Sequence, residues 1–214
     1  MNLENSYWYF QSVIPHRICD DIVRLAKEKK GDEQQRSEEQ QATTGGFEGK
    51  DLRENPLSKQ ELKNLKKIRD SRVIWLSEPW IYNLIHPFVR EANQNANWNF
   101  TWDSSEACQF TTYGPGQYYG WHCDTWDKTY KTQKTRKLSM SLTLRDPTEY
   151  EGGELEFDFR NRNPSKKRHT AICSGIAPKG SLVVFPSFVW HRVKPVYRGV
   201  RQSLVMWNLG YPFK

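Results

Sequence analysis

Long apolar segments are missing from this sequence of 214 residues. No run approaches the roughly 20 apolar residues that a membrane-spanning helix needs. The first ten residues, MNLENSYWYF, also lack the basic start and apolar run of a secretory signal. The sequence therefore predicts a protein without a membrane partner.

Closely spaced cysteine pairs are missing as well. The four cysteines are scattered and form no CxxC pair: Cys19, Cys108, Cys123 and Cys173. This spacing argues against a disulfide framework and against a zinc knuckle. It favours reduced, partly buried thiols and a cytoplasmic location.

Aliphatic residues are scarce, whereas aromatic residues are not. Hydrophobic residues make up 36% of the chain and aromatic residues 14%, including nine tryptophans, so we expect a core built around large rings. The segment 31–49 has one aromatic and almost no aliphatic side chain. We predict that it is mobile, and either closes over a ligand as a lid or is a linker.

Acidic residues do not balance the basic ones, and the net charge is +7. Two stretches concentrate the excess, DKTYKTQKTRK (127–137) and RNRNPSKKR (160–168). Such a charge is compatible with a nucleic acid, with an acidic partner or with solubility alone.

The hydrophobic periodicity changes near residue 98. Before it, ICDDIVRLAKEKK and SEPWIYNLIHPFVREAN have apolar residues at helical spacing, and Asp20 and Asp21 suit a first turn. After it, short alternating runs predict seven strands: WNFTW, ACQFTTY, KLSMSLTL, GELEFDF, SLVVF, FVWHRV and QSLVMWNL. We therefore predict a helical extension over residues 1–97 that packs on a mainly β core over residues 98–214, a sandwich or jelly roll.

A histidine and an aspartate lie two positions apart in YYGWHCDTW (118–126). Residues i and i+2 of a strand face the same side, so His122 and Asp124 could point together into a barrel. His191 lies in a late strand-like run and could join them. Two histidines and one carboxylate form a facial triad typical of non-haem Fe(II). For the remaining histidines we expect structural or solvent-exposed roles: His16, His86 and His169.

Arg201 follows ten residues after His191, in the apolar run VRQSLVMWNL. We expect it on the antiparallel strand next to that of His191. A buried arginine without a partner would be costly, so this position predicts an anion held bidentately inside the barrel.

Three longer motifs follow in order: YGPGQYYGWHCD, then RKLSMSLTLRD with EGGELEF, then WHRVKPVYRGVRQSLVMW. Together they resemble the Fe(II)/2-oxoglutarate dioxygenases, and within them the prolyl hydroxylase-like branch. The resemblance covers roughly residues 104–211, and ICDDIVRLA is similar to the N-terminal helix of that family. It implies a double-stranded β-helix, or jelly roll, behind N-terminal helices.

The resemblance also implies residue roles. His122, Asp124 and His191 resemble the Fe(II) ligands, and Arg201 resembles the residue that pairs with the distal carboxylate of 2-oxoglutarate. Three residues resemble further co-substrate contacts: Tyr113, Ser203 and Thr143, the last shorter than the tyrosine of several relatives. Two tryptophans would offer an aromatic face to a substrate proline: Trp207 and Trp126. Core packing is the alternative role for Tyr113, Tyr119 and Trp207, and a tight turn for Gly152 and Gly153.

The reaction implied by the resemblance is a hydroxylation coupled to decarboxylation of 2-oxoglutarate to succinate and CO2. It requires Fe(II) and 2-oxoglutarate, with ascorbate as a further cofactor. A prolyl residue of a protein or peptide is the favoured substrate. A nucleic acid is less favoured, because basic loops alone give only non-specific binding. A free amino acid or other small molecule is a further alternative, and a non-catalytic scaffold is the least favoured reading.

Overall fold

The computed structural model describes residues 3–30, 40–42, 57–125, 133–159 and 169–213. These residues form three α-helices and a 3-10 helix: α1 (His16–Lys30), α2 (Lys59–Lys66), α3 (Pro79–Asn95) and η1 (Ser174–Ile176). They also form fifteen strands: β1 (Trp8–Phe10), β2 (Gln40–Gln41), β3 (Arg69–Asp70), β4 (Arg72–Leu76), β5 (Ser104–Ser105), β6 (Cys108–Tyr113), β7 (Tyr118–His122), β8 (Thr135–Thr143), β9 (Tyr150–Gly152), β10 (Leu155–Asp158), β11 (Thr170–Ile172), β12 (Leu182–Pro186), β13 (Trp190–Val193), β14 (Val196–Gly199) and β15 (Arg201–Gly210).

The strands build two main antiparallel sheets that face each other. The eight-stranded sheet has the order β1-β12-β8-β15-β6-β4-β2, with β5 also paired to β15. The five-stranded sheet has the order β11-β10-β13-β7-β3, and β14 with β9 forms a separate ribbon. This is the double-stranded β-helix that the sequence analysis predicted, and the fold class is confirmed.

Two hydrophobic cores stabilise this arrangement. The larger core joins α1 and α3 to the outer face of the eight-stranded sheet, with Ile22, Ile85 and Met206 among its fully buried residues. The smaller core lies between the two sheets and includes Phe157 and Phe185. Helices α1 and α3 therefore cover the eight-stranded sheet.

Helix α1 begins earlier than its charge pattern suggests. The Pro15 carbonyl accepts from the N–H groups of Ile18 and Cys19, so the helix starts at His16. Asp20 and Asp21 consequently lie beyond the first turn, and the prediction that they occupy it is wrong. Asp21 is instead paired with Arg24 at 2.7 Å.

One predicted strand, WNFTW (98–102), is a loop. Trp98 and Phe100 are buried, which produces the strand-like alternation, but the residues between them do not join a sheet. The Asn93 side chain donates to the Phe100 carbonyl and accepts from its N–H, both at 2.9 Å. Asn97 and Asn99 adopt positive φ angles of 60° and 53°, a conformation that asparagine tolerates. The side-chain clamp therefore replaces strand pairing.

The N-terminal 97 residues contribute strands to both sheets. Strand β1 pairs with β12, β4 pairs with β6, and β3 pairs with β7. The domain boundary at residue 97 stays a prediction, but the sheets extend across it.

All four cysteines are free thiols, three of them buried and Cys123 partly exposed. Among the described residues, no helix combines the length and the apolar character that a membrane span requires.

Candidate metal and co-substrate site

Two histidines face each other across neighbouring strands of the five-stranded sheet. His191 on β13 is the register partner of His122 at the end of β7, and their ring centroids are 4.1 Å apart. Asp124 follows two residues later. The potential ligand atoms of these three side chains all lie within 4.8 Å of one another, the only such group of three in the described part of the chain.

Strand alternation does not position Asp124, because β7 ends at His122. The backbone N–H groups of Asp124 and Thr125 both donate to the Ser187 carbonyl, at 2.8 and 3.1 Å. The turn after β7 is therefore anchored to the turn that precedes β13. The prediction that His122 and Asp124 come together is confirmed, but its reason, a shared strand face, is wrong.

Each imidazole is oriented by a backbone carbonyl. Nδ1 of His122 lies 2.8 Å from the Gly120 oxygen, and Nδ1 of His191 lies 3.0 Å from the Val189 oxygen. A carbonyl only accepts, so both Nδ1 atoms carry a proton. The Nε2 atoms then face Asp124, each 3.6 Å from one carboxylate oxygen.

The electrostatic environment maintains the protonation states that a metal ion needs. Burial lowers the pKa of His122 well below its ordinary value, and His191 adds to this effect. Burial acts to raise the pKa of Asp124, but His191, His122 and Arg136 lower it to about 2. At neutral pH the site therefore offers neutral His122 and an ionised carboxylate.

A pair of serines, which the sequence analysis missed, supports the carboxylate of Asp124 through a hydrogen bond. The Ser139 hydroxyl donates to Oδ2 of Asp124 at 2.7 Å and lies 2.9 Å from the Ser187 hydroxyl. Both serines are fully buried. Ser139 is on β8 of the opposite sheet, so no local pattern connects it with the histidine–aspartate motif.

Arg201 is buried on the opposite sheet. Its side chain is 4% exposed, Nη1 donates to the Ser203 hydroxyl at 3.1 Å, and it forms no ion pair with any residue that the structure describes. Gly153, with φ +70°, makes room for it, since a Cβ there would lie 2.7 Å from Cδ of Arg201. Gly153 therefore does more than permit a turn.

The strand placement of Arg201 differs from the prediction. Its strand β15 belongs to the eight-stranded sheet and is not adjacent to β13. The chain leaves β13, forms β14 in the separate ribbon and then crosses to the other sheet. Arg201 and the histidine–aspartate cluster thus lie on opposing sheets of the barrel.

The other three predicted co-substrate residues differ in how they are placed relative to Arg201. Tyr113 is its register partner on β6, with the guanidinium carbon 5.5 Å from the ring centroid. Ser203 shares its strand face and binds it. Thr143 pairs with Ser203 in register, but its hydroxyl donates to the Ile176 carbonyl at 2.7 Å. That bond uses its only proton, so a donated bond to a co-substrate would require it to break.

Of the two predicted substrate tryptophans, Trp126 lies outside the described residues. Trp207 is 6% exposed, and Arg136 lies 3.8 Å above its ring centroid. Arg136 is itself held by Glu106 through two hydrogen bonds of 2.7 and 2.6 Å. One face of Trp207 is therefore already occupied.

Trp75 is an exposed aromatic residue next to Trp207. It is 38% exposed, and its ring centroid lies 6.3 Å from that of Trp207. The alternation in RVIWL could have revealed it, because Val73 and Trp75 share the face of β4 opposite to that of Ile74. Trp75 is thus the better-placed aromatic surface for a substrate.

The remaining histidines have the expected roles. His16 and His169 are exposed, whereas Nε2 of His86 lies 3.0 Å from the Ser105 hydroxyl under α3. Of the segment 31–49, only residues 40–42 are described, and they pair with β4 and its neighbour Ser71. The lid prediction and most of the basic stretches, 127–132 and 160–168, fall outside the described residues.

Comparison with known proteins gives the same family. Residues 108–208 match the model of the 2OG-Fe(II) oxygenase superfamily. A PKHD-type hydroxylase of Klebsiella pneumoniae is 36% identical over 107 residues, which cover 46% of this chain and 41% of that protein. A PKHD-type hydroxylase of Aliarcobacter butzleri is 36% identical over 101 residues, with the same two coverages. The match thus spans about two fifths of the length of these relatives.

Solved structures share the fold over nearly the whole chain. The viral collagen prolyl hydroxylase of Paramecium Bursaria Chlorella virus-1 in its 2OG complex aligns with a TM-score of 0.61 and 19% identity, covering 97% of both chains. A Pseudomonas putida prolyl-4-hydroxylase aligns with a TM-score of 0.59 and 18% identity, covering 96% of this chain and 92% of its own. Residues 108–208 are therefore similar to the 2OG-Fe(II) oxygenase superfamily, and the chain shares its fold with solved prolyl hydroxylases.

Proposed function

We propose that this protein is an Fe(II)- and 2-oxoglutarate-dependent dioxygenase that hydroxylates prolyl residues of a protein or peptide. One observation carries the proposal: two histidines and a carboxylate converge on one wall of the barrel, and a buried arginine without a carboxylate partner among the described residues lies on the other. A scaffold would have no use for either feature.

The metal ligands in this proposal are His122, Asp124 and His191. Two imidazole nitrogens and one carboxylate are the donor set that non-haem Fe(II) takes in a facial triad with open positions. Mn(II), Co(II) or Ni(II) would occupy the same site without supporting turnover. When bound, Fe(II) supplies the activation of O2 on which hydroxylation depends.

Arg201 orients the co-substrate in the same proposal. Its fixed, planar guanidinium donates to the distal carboxylate of 2-oxoglutarate, and Ser203 holds one of its nitrogens in place. Tyr113 closes the pocket beside it, and burial of the whole pocket excludes water from the co-substrate.

The Ser139 hydroxyl positions the metal-binding carboxylate, so Ser139→Ala is expected to weaken metal binding. Loss of a hydrogen-bond partner behind a ligand typically lowers metal affinity about 10–100-fold. Titration calorimetry of the metal-free protein with Mn(II), without 2-oxoglutarate, measures this directly. Ser139→Thr retains the hydroxyl and should restore much of the affinity.

Ser141 provides the matched control, since it lies on the same strand face and has no hydrogen bond to Asp124. Ser141→Ala should leave the Mn(II) affinity unchanged. Equal affinities in the wild type and Ser139→Ala would show that the serine has only a packing role.

The substrate class rests on relatives and on the site entrance. The names of the matched proteins describe PKHD-type hydroxylases and prolyl hydroxylases, one of the latter from Trichoplax adhaerens in complex with a hypoxia inducible factor peptide fragment. An exposed tryptophan at the entrance, Trp75, suits a pyrrolidine ring. A protein or peptide substrate follows from these observations. Ascorbate as an additional cofactor and a cytoplasmic location are separate proposals.

Succinate release tests the activity. With Fe(II), 2-oxoglutarate and O2 but no substrate, we expect slow succinate formation, which a hydroxylatable peptide accelerates. Mass spectrometry of proline-containing peptide libraries should then show the gain of one oxygen atom on proline. Oxidation only of free amino acids or of nucleic acids would refute the peptide substrate, and no succinate release under any condition would refute the dioxygenase.

A further inference from the structure

A second buried arginine, Arg69, has no carboxylate partner among the described residues. It is 5% exposed, and the one hydrogen bond of its side chain to a described residue is from Nε to the buried Ser71 hydroxyl at 2.8 Å. No ion pair joins it to any of the residues described. Other arginines on strands around the site are different: Arg136 is paired with Glu106 and Arg192 with Glu156, both at 2.6 Å.

Arg69 lies beside the metal-binding cluster. On β3 it is the register partner of Tyr119, and its guanidinium carbon is 4.5 Å from the Tyr119 ring centroid. The Tyr119 ring also stacks on His122, with centroids 3.5 Å apart and an interplanar angle of 13°. Tyr119 thus contacts both the guanidinium of Arg69 and the imidazole of a proposed metal ligand.

The nearest acid on the same strand does not compensate Arg69. Asp70 follows it directly and therefore points to the other face of β3. There it lies 3.4 Å from Nζ of Lys66 and accepts from the Gln117 amide at 3.0 Å. The carboxylate nearest in sequence is already used.

The contacts within the protein leave the charge of Arg69 only partly compensated. An arginine remains protonated, so burial cannot neutralise it. The π face of Tyr119 and one serine oxygen offset part of the cost of removing the guanidinium from water, and its Nη1 and Nη2 atoms make no hydrogen bond to a described residue. Such a group, facing the interior beside a catalytic cluster, is the recognition element for an external anion.

We propose that Arg69 binds a carboxylate of the substrate, so that the hydroxylated residue is presented with an acidic group close by. The inference rests on the proposed peptide hydroxylation and names a feature of its substrate: an aspartate or glutamate side chain near the target proline, or a C-terminal carboxylate. The co-substrate is not the anion, because Arg201 on the opposite sheet receives it. Arg69 is thus a specificity-determining residue on the substrate side of the cluster.

The test compares acidic peptides with their amides. The probe is a fluorescein-labelled Pro-Ala repeat peptide in which one alanine at a time, on either side of a central proline, is replaced by Asp or by Asn. A second pair ends in a free carboxylate or in an amide. Binding is measured by fluorescence anisotropy to protein loaded with Mn(II) and 2-oxoglutarate. One acidic peptide should bind about tenfold or more tightly than its amide counterpart, the strength of a charge-assisted hydrogen bond.

Variants assign that preference to Arg69. Arg69→Gln should remove it while leaving the affinities for Mn(II) and 2-oxoglutarate unchanged, and Arg69→Lys, which also serves if the glutamine variant does not fold, should retain part of it. Arg72→Gln removes the same charge from an exposed site on the next strand along the chain, β4, and should retain all of it. The proposal would be overturned if the wild type bound every acid and amide pair equally, or if the preference survived in Arg69→Gln. It would also be overturned if Arg72→Gln lost the preference equally, or if Arg69→Gln had a weakened affinity for 2-oxoglutarate.

Failure of the proposed peptide hydroxylation can be distinguished from failure of the inference about Arg69. If only a free amino acid or another small molecule is oxidised, peptide hydroxylation is refuted. The same variants then test Arg69 on the acid and amide forms of that molecule, and identical affinities for the two forms in the wild type would overturn the inference separately.

Discussion

Replacing Asp124 with alanine is expected to abolish 2-oxoglutarate turnover. Asp124 is the only anionic member of the cluster, and its carboxylate lies 3.6 Å from each histidine Nε2. Its loss leaves two neutral ligands and removes the charge that attracts a divalent cation. Mn(II) affinity should fall by more than the roughly 10–100-fold that losing a hydrogen bond behind a ligand costs. His122→Ala should have the same effect on turnover.

The fold should survive this change. The backbone N–H of residue 124 donates to the Ser187 carbonyl, and an alanine there retains that bond. Circular dichroism and thermal unfolding of the metal-free variant check this, and succinate release measures turnover. Asp146→Ala removes a partly exposed carboxylate that binds Thr148 and not the cluster, and it should be fully active. Fe(II)-dependent turnover that persists in Asp124→Ala would show that the cluster is not the metal site.

Arg201→Ala is expected to raise the apparent constant for 2-oxoglutarate about thirtyfold or more. Truncating one partner of a buried, hydrogen-bonded charge pair costs roughly 2–5 kcal/mol, because the other charge is left unpaired in a dry pocket. Arg201 is buried between Tyr113 and Ser203, so water cannot readily replace its guanidinium. Arg201→Lys should recover part of the affinity, without the bidentate geometry.

Arg198 provides the control for the Arg201→Ala experiment. Arg198 lies in the same part of the chain but is exposed, and its contact with Glu151 is a surface pair at 3.5 Å. Arg198→Ala should leave the 2-oxoglutarate constant unchanged, since such pairs contribute little. Metal affinity without co-substrate should be the same in Arg201→Ala as in the wild type. An unchanged 2-oxoglutarate constant in Arg201→Ala would place the co-substrate elsewhere.

Local patterns in the sequence predicted the strands and most of the candidate site. Alternation identified the main strands, and the motif around His122 together with the order of His191 and Arg201 indicated the cluster and a buried arginine, although Arg201 was expected on the strand next to that of His191. These signals work because strand periodicity and motif spacing are properties of short segments. The pattern was wrong at residues 98–102, where buried aromatic rings imitate a strand but asparagine contacts replace the pairing.

Contacts between distant segments decided the rest. Ser139 reaches Asp124 from the opposite sheet, Gly153 accommodates Arg201, and Arg136 covers one face of Trp207, which was expected to contact a proline ring. Each of these contacts joins residues from distant segments, so no single stretch of sequence contains it.

The sequence by itself determined which side chains this protein has for binding a metal ion and an anion, and the order in which its strands present them. Only the tertiary structure decided which charges have partners. Arg136 and Arg69 look alike as residue types, yet one is held by a glutamate and the other is buried beside Tyr119 without a carboxylate among the described residues. The reason is physical: the cost of a buried charge depends on what surrounds it in three dimensions, and strand pairing across the barrel sets those surroundings.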